Sequence, residues 1–398
     1  MLMKFPALIT AVLFFFVTGI SAQDSIFING SLRGVEEGTR IFFMKKEGNV
    51  GTTVAKDSVV NGRFHISYVP GTKAVEQYSI MADGKGFPSM SLKLWAGAGN
   101  TITIEGNNKL LYTWSVKSNI PEQKEWHSFV NSNKQEWDTY QKLSVQRSEF
   151  ITGYRKSDAS KEEKTRLKAQ IDSVDGLSDK IEYIIRKNNL ALLEKGKMTP
   201  TRMEVLSSIA SAIKWNKAET FRPAVEKLYS QLTSDFRNSV EGQEIALVLY
   251  PPAIVKPGEP MFDTLLKDLN GNSYHLADFK GKYILLDFWS FGCGPCHASV
   301  PEMKELHEKL KDSLTIVGLN SDNKKMWQQA TDLFKMTWKN LSDENENRGI
   351  YARYGVEGIP NYVLIDPDGV VKASWTGYGT GSLKSKIKEL TGLSVAIQ

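Results

Sequence analysis

The chain has 398 residues and two cysteines, and both cysteines fall within four consecutive positions, Cys293-Gly294-Pro295-Cys296. So few cysteines exclude a disulfide-stapled scaffold and a multi-cysteine zinc or iron–sulfur site, so the pair is expected to do chemistry. Ahead of it runs Asp287-Phe288-Trp289-Ser290-Phe291-Gly292, the end of a buried strand, and a helix is expected from about Cys293 to Lys311. A CxxC that opens a helix places the first sulfur among unpaired backbone N–H groups at the positive end of the helix dipole, where thiolate is favoured over thiol. Cys293 is then able to attack a disulfide in a partner. Cys296, one turn later and deeper, is placed to attack the mixed disulfide and release the reduced product. Pro295 suits a first helical turn, where its missing N–H costs little.

Two further features belong with the pair. Asp287 lies six residues before Cys293 inside an apolar run. An unpaired buried carboxylate is expensive, so its pKa should rise toward neutrality and suit it to trade a proton with Cys296. The plainer reading is a strand-end Asp that faces solvent or caps a turn. Gly358-Ile359-Pro360 precedes another apolar strand. A cis proline there would present the Ile359 main chain to an extended peptide beside the sulfurs, although an ordinary loop proline is the default from sequence.

Other chemistries fit less well. Cys293 to His297 also spells CxxCH, the c-type haem attachment pattern, with His297 as iron ligand. The buried strand directly ahead argues against it, and His297 reads most simply as an exposed helix residue. A zinc site needs more ligands than the scattered His65, His127, His275 and His307 supply. A peroxidatic cysteine would want a proline in the pattern ahead of it, which Ser290 alone does not provide. Neither metal nor organic cofactor is expected.

The elements that must position these residues follow from periodicity. Tyr283 to Trp289 is apolar except for Asp287, as a strand buried on both faces requires. Leu314 to Leu319 gives a second buried strand, a helix follows near Lys324 to Lys335, and strands at Tyr362 to Ile365 and Val370 to Trp375 flank the turn Asp366-Pro367-Asp368-Gly369. An amphipathic helix from Leu383 to Leu390 closes an α/β domain assigned to 255–398. Helical periodicity governs 120–250: Trp126, Phe129, Val130, Trp137 and Tyr140 read as one apolar helix face. Lys156 to Lys187 reads as solvated helix surface, and Thr201 with Glu204 as a capping box. Pro251-Pro252 through Pro260 marks the boundary between the two.

Residues 23–110 read as a small antiparallel sandwich or barrel. Short β-branched and aromatic runs recur there, and Asn61-Gly62 is the pair that best tolerates a two-residue hairpin turn. His65 falls on the polar side of its strand. Residues 1–22 resemble a secretory signal, basic start, apolar middle and small-residue exit at Ala22, with an uncleaved membrane tether as the alternative. That address puts the rest outside the cytoplasm, where a cysteine pair faces oxidants. Lys plus Arg is 50 and Asp plus Glu is 45, so the net charge of +5 is too small and dispersed to predict nucleic-acid binding.

Residues of roughly 255–392 resemble the thioredoxin superfamily, specifically the TlpA/ResA-like extracytoplasmic thiol-disulfide oxidoreductases. The resemblance rests on Gly258-Glu259-Pro260 with Leu269-Asn270-Gly271, Phe279-Lys280-Gly281-Lys282, the Asp287 to Cys296 block, Gly358-Ile359-Pro360, and Leu364-Ile365-Asp366 with Asp368-Gly369. It implies a thioredoxin fold, Cys293 as nucleophile, Cys296 as resolving thiol, Pro360 as a cis proline, and substrate contacts from Trp289, Phe291, Gly294, Pro295, Ile359 and Pro360. Two departures stand out: Gly292 occupies the usual position of Trp, and Ser299 that of a Glu. The proton carrier is therefore assigned to Asp287, and Glu302 to helix surface. The Gly-Pro dipeptide of reducing thioredoxins implies reduction of protein disulfides rather than oxidation or isomerisation. It also implies a membrane electron-donor thiol-disulfide protein, with apocytochrome c reduction as the family-level expectation. The segment before Pro121 resembles the sandwich module often found ahead of such domains in secreted bacterial proteins. An envelope-binding protein with an accessory redox domain is the competing function.

Overall fold

A computed structural model describes residues 24–47, 50–214 and 219–395. The expected signal segment lies outside the described residues. The chain divides into two compact units, 1–45 with 53–127 and 46–52 with 128–398.

The first unit is strand-rich, with β1 Ile26–Leu32, β2 Arg40–Glu47, β3 Val50–Ser58, β4 Arg63–Tyr68, β5 Glu76–Asp83, β6 Leu92–Ala96, β7 Thr101–Gly106 and β8 Ser115–Lys117. Two four-stranded sheets form, in the orders β4-β1-β7-β8 and β3-β2-β5-β6. Their inner faces meet in one core that includes Ile28, Phe43, Phe64, Ile80, Leu94 and Ile104. In β4, Phe64 and Ile66 are buried while Arg63 and His65 are exposed, which is the alternation of a strand covered on one face. Asn61 and Gly62 adopt φ of 52° and 69°, and Val60 and Arg63 exchange backbone hydrogen bonds across the turn. Both central residues have the positive φ of a type I′ turn. The strands that this turn joins nevertheless enter opposite sheets. The arrangement also differs from the antiparallel expectation in one pair, because β1 and β7 run parallel. They are distant in sequence, so no hairpin dictates their sense. Gly30 matters here: a Cβ would lie 1.8 Å from the Phe64 ring, so only glycine lets that ring cross the strand.

The second unit begins with helices. The helical segment comprises α1 Pro121–Asn131, which crosses the division between the units, α2 Lys134–Tyr154, α3 Lys161–Leu193, α4 Pro200–Lys214, α5 Arg222–Ser230, α6 Ser234–Asn238 and α7 Val240–Leu249. The aromatic run from Trp126 to Tyr140 is split between two helices rather than lying on one. The break is at buried Asn133, whose side chain donates to Phe129 O and Asn189 Oδ1 and accepts from Asn188. An asparagine that satisfies backbone groups in this way competes with helix continuation. The α4 cap is Thr199, which accepts from Arg202 N at 3.2 Å, and not Thr201, which is buried in the first turn. α3 carries charge outward but buries Leu167, Ile171 and Val174.

The C-terminal part has β9 Leu266–Lys267, β10 Ser273–Tyr274, β11 Tyr283–Trp289, α8 Gly294–Leu310, β12 Leu314–Asn320, α9 Lys324–Phe334, β13 Lys339–Leu341, α10 Ile350–Arg353, β14 Asn361–Ile365, β15 Val371–Thr376 and α11 Ser382–Thr391. The five-stranded sheet has the order β13-β12-β11-β14-β15. β11 is central, parallel to β12 and antiparallel to β14. Its side chains alternate into two cores. Ile284, Leu286 and Phe288 pack with Ile350, Tyr351 and Tyr354. Leu285 packs with Val300 and Met303 of α8 and Leu383 and Ile387 of α11. This is the thioredoxin fold. Residues 290–293 link β11 to α8, so they sit at the carboxyl end of the central strand.

Candidate active site

Cys293 is the N-cap of α8. Its sulfur accepts from Cys296 N at 3.1 Å, and Pro295 occupies the first turn. The helix starts there because Cys293 is extended, Pro295 needs no N–H partner, and the Cys293 carbonyl accepts from His297 N. The two sulfurs are joined as a disulfide with Cα atoms 5.2 Å apart. Cys293 is 7% exposed and Cys296 3%, whereas Gly292, Gly294 and Pro295 are exposed and form the rim. The hydrogen bond from Cys296 N to Cys293 Sγ is one that a thiolate would strengthen.

Asp287 is buried in β11, opposite Tyr362 of β14 and Gly318 of β12. Alternation along the strand puts it on the same face as Leu285 and Trp289, the face that α8 covers. It neither faces solvent nor caps a turn. Its Oδ1 has no hydrogen-bond partner among the described residues, and burial pushes its pKa up to about 7. Tyr362 is also held up, first by burial and then by the Asp287 charge.

The Ile359-Pro360 bond is cis. Ile359 packs against the cluster of Trp289, Cys293, Cys296, Trp327 and Ala330. Pro360 is buried, and its carbonyl accepts from Gly377 N at 2.8 Å. No hydrogen bond engages the Ile359 main chain among the described residues. Phe291, half-buried, joins the same cluster. Trp289, expected to touch substrate, has no exposed surface and instead supports the disulfide from beneath.

Other expectations are corrected by the packing. His297 is half-buried rather than exposed. Its ring lies 4.1 Å from that of Phe334, because α9 closes over the first turn of α8. Glu302 is 7% exposed and does not lie on the helix surface: it accepts from Tyr378 Oη, Gly381 N and Lys384 N, and so caps α11. Asp322 went unnoticed in the sequence. It accepts from Phe291 N at 2.6 Å and from Asn320 Nδ2 at 3.0 Å, and so anchors the loop ahead of Cys293. Burial pushes its pKa up, while those two hydrogen bonds pull it back. The available signal was its position just past β12, at the same carboxyl end of the parallel strands as the cysteines. Among the described residues no three His, Cys, Asp or Glu side chains gather as metal ligands.

Residues 257–374 match the AhpC/TSA family. The chain is 32% identical over 137 residues to the thiol-disulfide oxidoreductase ResA of Geobacillus thermodenitrificans, a match that covers 34% of this chain and 76% of that one. The chain belongs to the thioredoxin-like thiol-disulfide oxidoreductases. The oxidoreductase is also 32% identical over 122 residues to the thioredoxin-like protein YneN of Bacillus subtilis, covering 30% of this chain and 70% of that one. Among solved structures it resembles the thioredoxin domain of a thiol-disulfide oxidoreductase from Bacteroides vulgatus. That likeness has 28% identity and a TM-score of 0.31, and it covers 34% of this chain and 99% of that one. Its disulfide, buried acid and cis proline all lie within the matched residues 257–374.

Proposed function

We propose that the oxidoreductase reduces disulfides of proteins outside the cytoplasm, with Cys293 as nucleophile and Cys296 as resolving thiol. The observation that carries this reading is Cys293 at the helix N-cap, its sulfur facing Cys296 N–H at 3.1 Å, above a buried carboxyl on the same sheet face. In the reduced protein the Cys293 thiolate attacks one sulfur of the client disulfide. A bond forms between Cys293 and the client, the client S–S bond breaks, and one client thiolate leaves. Asp287 takes the Cys296 proton, a transfer suited to a group that titrates near 7. The Cys296 thiolate then attacks the Cys293 sulfur, the bond to the client breaks, and the second client thiolate leaves. Two electrons have passed to the client and the protein is left as the Cys293–Cys296 disulfide. A membrane-bound dithiol protein resupplies the electrons, and apocytochrome c is the client class we favour.

Phe291, Gly294, Pro295, Ile359 and Pro360 form the client-facing surface in this reading, with the Ile359 main chain free to pair with an extended segment. Metal and organic cofactor have no part in the exchange. The signal-like start at 1–22 supports the compartment. We keep the division into a sandwich module over 23–110, a helical region over 120–250 and the redox domain over 255–398.

Trapping tests the reading. The Cys296→Ala variant should accumulate mixed disulfides with envelope proteins, and Cys293→Ala should form none and reduce no small disulfide. The pair should equilibrate with glutathione at a potential nearer thioredoxin's roughly −270 mV than the roughly −120 mV of a strong oxidant. A value at the oxidising end would reverse the assigned direction.

A further inference from the structure

A cleft of about 550 Å³ opens between the helices and the redox fold. That is within the range of pockets that hold small ligands, and so is roomy enough for a side chain with its neighbouring backbone. Leu247 and Val248 of α7 and Ile254 of the linker line it together with Val356, Ile359 and Ser290 of the redox fold. The cleft is continuous with the active site. Ser290 O accepts from Cys293 N at 3.2 Å, and Ile359 packs against the disulfide.

The helical side is tied to the redox fold. Arg348 donates to Gln243 Oε1 at 3.1 Å, Val255 N donates to Arg353 O at 2.9 Å, and Ile254 sits against Gly355, where a Cβ would lie 3.0 Å from its Cγ2. Arg222, the guanidinium at the cleft, is engaged by Glu219 at 2.6 Å and by the Val248 carbonyl at 3.3 Å. The helical side of the cleft therefore sets the aliphatic Ile213, Leu247, Val248 and Ile254 beside the charged Lys214, Glu219 and Arg222, is held in place, and lies outside the segment that matches the AhpC/TSA family at 257–374.

We propose that this cleft is a subsite for an apolar side chain of the client, aliphatic or aromatic, within two or three residues of the client's reacting cysteine. The proposal rests on the reading that Cys293 attacks protein disulfides. An extended client paired with the Ile359 main chain advances about 3.3 Å per residue and turns alternate side chains to the same side. A client cysteine at Cys293 thus delivers a near neighbour to the cleft. The helical segment selects clients by that neighbour.

The test uses the reduced full chain and three substrates that release a coloured thiol: a small aromatic disulfide, and two peptides whose single cysteine carries the same coloured thiol. One peptide has leucines flanking the cysteine and the other has serines. The native protein should favour the leucine peptide by about tenfold in kcat/KM, the discrimination a modest apolar pocket gives. Val248→Arg should bring the two peptides to near parity and leave the small disulfide unaffected. Ile254→Lys, at a half-exposed linker position, should do the same and guards against misfolding of the first variant. Equal rates for the two peptides in the native protein, or a leucine preference that survives in either folded variant, would overturn the subsite alone. A native protein inert toward the small disulfide would overturn the underlying exchange reading as well.

Discussion

Replacing Asp287 by Asn isolates the cost of its buried charge. Burial without a charged partner lifts its pKa from 3.8 to about 7. Each unit corresponds to about 1.4 kcal/mol, so the ionised side chain costs the folded, oxidised protein on the order of 4 kcal/mol. The sign follows from proton linkage. Between about pH 4 and pH 7 the folded state holds a proton that the unfolded state has released, so the stability associated with the neutral acid is lost as pH rises through that window. Above about 7 both states are ionised and the full penalty persists. From these two pKa values, wild type should lose about 2 to 3 kcal/mol relative to Asp287→Asn between about pH 5 and pH 8.5. A constant offset from burying the amide cancels in that difference. Urea unfolding of both oxidised proteins at the two pH values, followed by tryptophan fluorescence, measures it. Parallel stability profiles would refute the argument, because they would mean that Asp287 is solvated or paired.

Three further outcomes follow from the packing. Glu302→Ala removes the acceptor for Tyr378 and for two backbone N–H groups at the start of α11, so urea unfolding should show a loss of about 2 to 3 kcal/mol, with turnover of a small disulfide retained in folded protein. Gly62→Ala puts a Cβ at φ +69° and 2.8 Å from Leu32 O, so it should cost at least about 1 to 2 kcal/mol in thermal or urea unfolding. Leu206→Ala opens a cavity in a fully buried part of α4 and should cost about 2 to 5 kcal/mol, read by denaturation.

Much of the redox domain was legible because its signals are local. The run from Tyr283 to Trp289 matches β11 residue for residue, since a strand covered on both faces must be almost wholly apolar. The order of strand, CxxC and helix is enough to place Cys293 at a helix N-terminus, where it is the N-cap, and the Asn61-Gly62 pair declares its positive φ values in the same way. The fates of isolated polar residues were not legible. Glu302 and His297 sit in α8 with nothing nearby in sequence to distinguish them from surface residues. Glu302 is buried because the distant start of α11 needs an anion at its N–H groups, and His297 because Phe334 of α9 covers it. Asp322 was missed because its partner is a backbone N–H some thirty residues away.

Sequence by itself settled what depends on neighbours along the chain: the buried central strand, the helix that opens at Cys293, the type I′ turn and the two sulfurs within reach of each other. Tertiary structure decided what depends on chain segments that meet from afar. It set the parallel sense of β1 and β7, turned Trp289 into a support beneath the disulfide, and brought α7 and the Ile254 linker into one cleft with Ile359. The reason is that periodicity and capping act over a few residues of backbone, whereas burial and cleft shape arise only when surfaces far apart in sequence exclude water together.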